Sequence, residues 1–184
     1  MVKPKTRKAQ VWGGRLSTPP DQMNIAFCSG RDVSSVPMAD ELLLPYDIWT
    51  NLAHVRMLQR CGILNHEECR ALCNALIDID VKARRGDFKL DPQKEDVHIN
   101  IEHYITHALG IEAGKKIHTG RSRNDQSGTD IKLYLRDQLL AISENVRVLI
   151  AAILKKAAPE LESVMPGFTH YQPAMLTTAA HWLT

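Results

Sequence analysis

Regularly spaced apolar residues predict an all-α protein. Between Asp47 and Leu183 apolar side chains recur at intervals of three and four residues, the spacing of one face of a helix. Prolines and glycines interrupt this pattern where helices would end. The sequence contains no run of alternating polar and apolar residues typical of half-buried strands, and no internal repeat. The pattern therefore predicts helices packed against helices.

Two short helices open the pattern. The first is predicted from Asp47, with a C-terminal stop at Gly62. Its apolar face consists of Ile48, Leu52, Val55 and Leu58. The second begins at Asn65, which forms with Glu68 the pattern of a capping box, and ends at Gly86. Two such helices in succession indicate a helical N-terminal domain.

Two more helices follow. One is predicted over residues 95–109, where Gly110 breaks it, and the longest runs over residues 124–158 and stops at Pro159. A helix of this length extends about 50 Å. Because it is much longer than the mean globular helix, we expect it to lie along neighbours of similar length.

The end of the chain predicts a loop and the start of another helix. The loop carries several prolines and glycines, and the helix begins near Ala179. The resulting domain prediction is a flexible basic tail over residues 1–10, a helical domain over 11–118, and the beginning of a helical-bundle domain over 119–184. We expect the bundle domain to be truncated, because the last apolar segment reaches the final residue without a capping signal.

Composition restricts the function classes. The 184 residues are 44% hydrophobic, and the 23 basic and 21 acidic residues leave a net charge of +2, which is too small to favour nucleic acid or an anionic membrane. No run approaches the ~18 apolar residues of a membrane span, and no secretory signal follows the basic start. The four cysteines form no CxxC motif, so we expect reduced, core-filling thiols in a cytoplasmic protein.

A dense group of hydrogen-bond donors precedes the long helix. Lys115–Gln126 gathers hydroxyl, amide and guanidinium groups around Gly120. Backbone N–H groups at the helix start, together with Arg121 and Arg123, are suited to the carboxylates of a polyanionic small molecule. An elaborate helix cap with solvated arginines explains the same residues equally well.

A second cluster lies at the start of the preceding helix. Glu95, Asp96 and His98 stand together there, although acidic residues that complement the helix dipole are the simpler interpretation. His103 and His107 are spaced as a metal pair, but they form no HExxH motif and have no evident third ligand. The sequence therefore predicts no metal site.

A third cluster occupies the predicted loop before the last helix. Thr169, His170 and Gln172 lie between two prolines and offer a hydroxyl, an imidazole and an amide. A histidine in a rigid loop is a candidate acid–base group. A histidine that only satisfies the loop backbone is an equally good interpretation of this segment alone.

Together these clusters resemble one family, the argininosuccinate lyases of the fumarase/aspartase superfamily. The motifs, in the family's order and spacing, are WGGR at Trp12–Arg15, YDI at Tyr46–Ile48 with Ala53-His54, EDVH at Glu95–His98, TGRSRNDQ at Thr119–Gln126 and PGFTHYQPA at Pro166–Ala174. The resemblance covers the chain from about Val11 to its end. TGRSRNDQ is the most specific motif, because other lyases of the superfamily carry different sequences there.

The resemblance implies a fold, an activity and an assembly. Lyases of this superfamily have three helical domains, whose long helices form a bundle in a homotetramer, and each active site combines segments of three subunits. The implied reaction, part of arginine biosynthesis, needs no cofactor. It is the anti elimination that converts argininosuccinate into arginine and fumarate.

The resemblance also assigns roles to residues. His170 corresponds to the family's acid–base histidine. The residues that correspond to substrate-binding or substrate-orienting positions are Ser29, Asp96, His98, Ser122, Arg123, Asn124, Thr169 and Gln172. Thr50 and Asn51 stand where the family usually has glycine and serine, and the segment around Ser29 is atypical.

Some catalytic parts of the family are expected beyond residue 184. These are the serine of a mobile glycine- and serine-rich loop and the acidic partner of the catalytic histidine. We therefore expect this chain alone to be an inactive N-terminal fragment, which is either completed by a complementing C-terminal chain or is a truncated product. The alternatives are a non-catalytic structural role, like that of the related lens crystallins, and another lyase such as an aspartase.

Overall fold

The computed structural model describes residues 21–28 and 38–184. The elements in these ranges are α1 Gln22–Cys28, α2 Leu44–Arg60, α3 His66–Arg85, α4 Val97–Leu109, α5 Ile111–Lys116, α6 Arg123–Ala157, β1 Val164–Thr169, β2 Gln172–Thr178 and α7 Ala179–Leu183. Short 3-10 turns occupy Ala39–Leu42, Pro92–Lys94 and Ala158–Glu160. The helical fold class predicted from the sequence is confirmed.

Side-chain caps fix the ends of the first long helices. Asn65 accepts a hydrogen bond from the backbone N–H of Glu68 (2.8 Å), and the Glu68 carboxylate accepts one from the Asn65 N–H (2.9 Å). Gly86 closes α3 with a φ of 79°, a conformation that costs glycine little. Gly62 follows α2 with a φ of 74°. The predicted start and stop of α3 and the stop of α2 are therefore confirmed, whereas α2 begins at Leu44, three residues before the predicted start.

The described residues divide into two compact units, one up to Tyr134 and one over residues 135–184. Helices α2, α3 and α4 pack together in the first unit and supply its apolar core. The largest fully buried apolar side chains there are Val55, Leu58, Leu72, Leu76, Ile79, Val97, Ile101 and Ile105. Burying each such side chain contributes about 1.5–3 kcal/mol relative to exposure. This core holds α2 and α4, which carry several of the polar residues described below.

Helix α4 begins two residues later than the sequence predicts. Asp96 is its N-cap, and the Asp96 carboxylate accepts a hydrogen bond from the Ile99 N–H at 2.6 Å. Glu95 lies outside the helix with a φ of 65°. The acidic pair therefore divides into one capping residue and one residue of the preceding turn.

The second unit contains a hairpin that the sequence analysis missed. Strands β1 and β2 pair antiparallel, with Val164 opposite Thr178 and Thr169 opposite Gln172, where we predicted a loop. The two residues between the strands, His170 and Tyr171, have φ values of 48° and 62°, as in the type I′ turns of short hairpins. Prolines in both strands and a bulge next to Gly167 conceal the strand pattern.

Two other expectations have outcomes in the described part of the chain. Cys69 and Cys73 are free thiols that pack against the core, whereas Cys61 is free but exposed, so it does not fill the core as predicted. The side chain of Cys28 lies outside the described residues. Among the helices described, none combines the length and apolar character required to cross a membrane.

Gly114 allows α5 to pack closely against α4. A Cβ atom at Gly114 would collide with the side chain of Thr106, whereas a Cβ at Gly128 in α6 meets nothing within 4 Å. We expect Gly114→Ala to lower the free energy of unfolding by about 1–3 kcal/mol through overpacking. The matched Gly128→Ala change should raise it by about 0.5–1 kcal/mol, because alanine favours the helix. Urea denaturation of both variants tests this, and an unchanged Gly114→Ala midpoint would contradict the packing.

Candidate active site

A polar stripe on α2 is the starting point of the site. Asp47, Thr50, Asn51 and His54 lie at positions i, i+3, i+4 and i+7 of this helix and therefore share one face. Asp47 is completely buried and Asn51 is 2% exposed. Buried polar groups are costly unless they have partners, so this face must be matched by other polar groups.

Asp47 joins α2 to α4 and α6. Its Oδ1 atom lies 3.0 Å from Nδ1 of His98, and the Gln126 side-chain amide donates a hydrogen bond to the same oxygen at 2.9 Å. Asp130 lies beside them, with Oδ2 3.9 Å from Nδ1 of His98. Thr50 donates a hydrogen bond to Oδ1 of Asp130 at 2.9 Å. The start of α6 is thus attached to both other helices through buried carboxylates.

Asn51 and His54 of α2 contact the segment that precedes α6. Arg121 donates a hydrogen bond from Nη2 to the Asn51 side-chain oxygen at 2.5 Å, while the Asn51 amide donates to the backbone oxygen of Asp47 at 2.7 Å. His54 Nε2 lies 3.0 Å from the backbone oxygen of Thr119. The guanidinium of Arg121 therefore points into the protein, where the sequence suggested a carboxylate-binding group.

Charge and burial shift the pKa values of this cluster in different directions. Burial alone would raise the pKa of Asp47, but His98 and the hydrogen bond from Gln126 outweigh it, so the pKa of Asp47 is lowered. Burial would lower the pKa of His98, but Asp47 outweighs it and the pKa is raised. Burial and the charge of Asp47 raise the pKa of Asp130 to about 7. The contact between Asp47 and His98 thus favours the ionised form of Asp47 and the protonated form of His98.

The same side chains are the only described group of three or more His, Cys, Asp or Glu residues arranged to hold a metal ion. One ligand atom from each of Asp47, His98 and Asp130 lies within 4.8 Å of the other two. However, the imidazole of His98 lies 3.0 Å from Asp47 and the Arg121 guanidinium is close by, so groups of the chain that can carry positive charge already face these carboxylates. We do not assign a metal site.

Two of the predicted residues of the first unit, His98 and Arg123, line a very small cleft of about 10 Å³. The cleft is lined by Asn51, His98, Ile101, Glu102, Ile117, His118, Arg121, Arg123 and Gln126. The Arg123 guanidinium lies 3.6 Å from the carboxylates of both Asp96 and Glu102, and the three side chains are about one-third exposed. Ser122 accepts a hydrogen bond from the Asn124 N–H at 3.2 Å, and both residues are exposed. His98 and Arg123 therefore share this cleft, with Asp96 next to Arg123.

The predicted residues of the second unit lie in its hairpin. Thr169 ends β1, Gln172 begins β2, and His170 occupies the first position of the turn between them. All three are exposed, so the turn presents the imidazole to solvent. Ser29 lies outside the described residues.

Sequence reasoning missed Asp47, Asn51 and Asp130 as members of this cluster. One signal was available in the sequence. Asp47 and Asn51 are polar residues on the buried side of α2, where the other buried residues are apolar. Asp130 stands 83 positions after Asp47, and no local pattern joins positions that far apart. Helical spacing could have identified the polar stripe, although not its partners.

Comparison with known proteins identifies the family. A family model described as "Lyase" matches residues 38–184. The chain belongs to this lyase family. The argininosuccinate lyase of Thioalkalivibrio sulfidiphilus is 42% identical over 172 residues, 94% of this chain and 35% of the relative. The argininosuccinate lyase of Syntrophus aciditrophicus is 40% identical over 182 residues, 99% of this chain and 37% of the relative.

A solved structure of another lyase has the same fold. EDDS lyase in complex with formate superposes with a TM-score of 0.66 and 29% identity over 90% of this chain and 32% of that chain. This lyase-family chain therefore spans about a third of the length of the relatives it matches. The family resemblance stated from the sequence motifs is confirmed.

The raised pKa of Asp130 predicts a pH-dependent stability of this lyase chain. The folded protein holds a proton on Asp130 up to about pH 7, whereas the unfolded chain releases it near the ordinary carboxyl value. The stabilisation of the folded state that comes from protonated Asp130 is therefore fully present at low pH and is lost as the pH rises through about 7.

Asp130→Asn imitates the protonated form and should lack this loss. We expect the free energy of unfolding of the variant, relative to wild type, to increase between about pH 5 and pH 8 in urea titrations. Asp125→Asn, at an exposed position of the same helix, is the control and should show no such trend. A constant difference between Asp130→Asn and wild type would contradict the buried environment of Asp130.

Proposed function

We propose that this chain supplies part of the active site of an argininosuccinate lyase, which cleaves argininosuccinate into arginine and fumarate by anti β-elimination. The observation that carries the proposal is the identity of about 40% to argininosuccinate lyases across nearly the whole chain. The buried cluster of the first unit supports it, because this cluster anchors the segment that contains the most specific motif of the family.

The first unit contributes the carboxylate-binding part of the proposed site. Argininosuccinate carries three carboxylates, and Arg123 is the guanidinium of the cleft that remains about one-third exposed. Ser122 and Asn124 lie beside it at the N-terminus of α6, where the helix dipole favours anions. His98 and Asp96 orient the substrate from the start of α4.

The second unit contributes the acid–base part. His170 transfers a proton to or from the substrate, a task for which imidazole is suited near neutral pH. Thr169 and Gln172 flank the turn and contact the substrate, and Ser29 is a further binding residue. The hairpin supports this role because its type I′ turn holds the imidazole at an exposed position with a defined backbone.

Other chains complete the proposed enzyme. The relatives are almost three times as long as this chain, so we propose that a C-terminal complement supplies the remaining catalytic groups and that the whole assembles as a homotetramer. Exposed apolar side chains along α6 support such an assembly. In the second unit they include Leu135, Leu139, Leu140, Ile142, Val146, Leu149 and Leu154. The free cysteines of the described ranges favour a cytoplasmic location for this cofactor-free reaction.

The test is fumarate formation from argininosuccinate, measured with the purified chain alone and mixed with a C-terminal complement. We expect turnover only in the mixture, at a size that corresponds to a tetramer. His170→Asn should lower kcat by about 10²- to 10⁴-fold, the usual contribution of a general acid–base group.

Tyr171→Asn is the matched control, because asparagine tolerates the positive φ of both turn positions and Tyr171 is fully exposed. It should leave turnover near the wild-type rate. A folded mixture without turnover, or a His170→Asn variant with the wild-type rate, would contradict the proposed function.

A further inference from the structure

Asp47 connects a proposed substrate-orienting residue, His98, to α6, the helix that carries two other proposed substrate-binding residues, Arg123 and Asn124. Its Oδ1 atom lies 3.0 Å from Nδ1 of His98 in α4 and accepts the hydrogen bond from Gln126 in α6. Asp47 is completely buried and His98 is 5% exposed. An ion pair this deep must be closely positioned, since each of its charges is costly to bury alone.

The contact determines which ring nitrogen of His98 is available to a ligand. The tautomer of a histidine is set by the partner of its other nitrogen, and here a carboxylate faces Nδ1. Nδ1 makes no well-aligned hydrogen bond in this structure. Two carboxylate oxygens lie on this side of the ring, and Asp47 Oδ1 at 3.0 Å is nearer to Nδ1 than Asp130 Oδ2 at 3.9 Å.

The position of the cleft identifies the free side of the ring. His98 lines the cleft together with Arg123, whereas Asp47 does not line it. Because Nδ1 faces Asp47, Nε2 is the ring nitrogen left to face the cleft. A histidine held in this way presents a fixed nitrogen beside the guanidinium of Arg123.

We propose that Asp47 is a positioning residue of the site: it holds His98 with a proton on Nδ1, also when the ring is neutral, and with Nε2 towards the cleft, and through Gln126 it fixes the first turns of α6. Asp47 acts through these two side chains and does not itself contact the substrate. The catalytic consequence rests on the proposed function, but the state of His98 does not.

The first test uses the 184-residue chain and nitrogen NMR of its imidazole rings, with the His98 signals assigned from a His98→Gln variant. At a pH high enough to leave His98 neutral, we expect the wild-type protein to have the proton on Nδ1. In Asp47→Asn the amide NH₂ can face Nδ1, which favours the proton on Nε2. Glu144→Gln, which removes an exposed partner of Arg147, should not alter His98.

A wild-type His98 with its proton on Nε2 would overturn the proposal. This measurement needs no variant of Asp47, so it decides the question even if Asp47→Asn does not fold.

The second test measures steady-state kinetics of the complemented lyase. Asp47→Asn, which removes the charged partner of His98, should lower kcat/KM by about 10- to 100-fold, as expected for a hydrogen bond to a charged group. Asp47→Glu, which restores the charge, should recover part of the loss. Wild-type kcat/KM for a folded Asp47→Asn enzyme would overturn the positioning role. If the wild-type mixture itself has no turnover, the proposed function fails, and the tautomer of His98 still decides the role of Asp47.

Discussion

The contact between the Asp47 carboxylate and the His98 imidazole is the constraint to which the other polar contacts of the first unit are linked. Two ionisable groups placed in an apolar core cost several kcal/mol unless each is compensated. Gln126 therefore turns its amide towards Asp47, and Asp130, with its raised pKa, accepts a hydrogen bond from Thr50 through Oδ1. These contacts attach the first turns of α6 to α2 and α4.

Local structure prepares this contact from both sides. The cap at Asp96 starts α4 at Val97, whose N–H donates to the Asp40 carboxylate at 3.0 Å, and this places His98 in the first turn. On α2, the Asn51 amide bonds to the backbone of its own helix and so presents its oxygen to Arg121. The same buried groups thus stabilise the fold and fix the segment with the most specific family motif.

Sequence patterns predicted the features that depend on neighbouring residues. The capping box of Asn65 and Glu68 and the glycine stops of two helices could be identified because a cap is a local hydrogen bond. The hairpin was missed since prolines and a bulge hide its alternation. The partnership of Asp47 with Asp130 was missed since it depends on how three helices pack. Motifs indicated where the candidate site lies, whereas packing determines which of its residues face the cleft.

A double-mutant cycle between Asp47 and His98 tests this account most directly. The free energies of unfolding of the wild type, Asp47→Asn, His98→Gln and the double variant would be measured in urea at neutral pH. If the buried pair organises the three helices, the sum of the losses of unfolding free energy in the two single variants should exceed the loss in the double variant by about 1–3 kcal/mol. Losses that add to within about 0.5 kcal/mol would mean that the two side chains act independently, and would contradict the account.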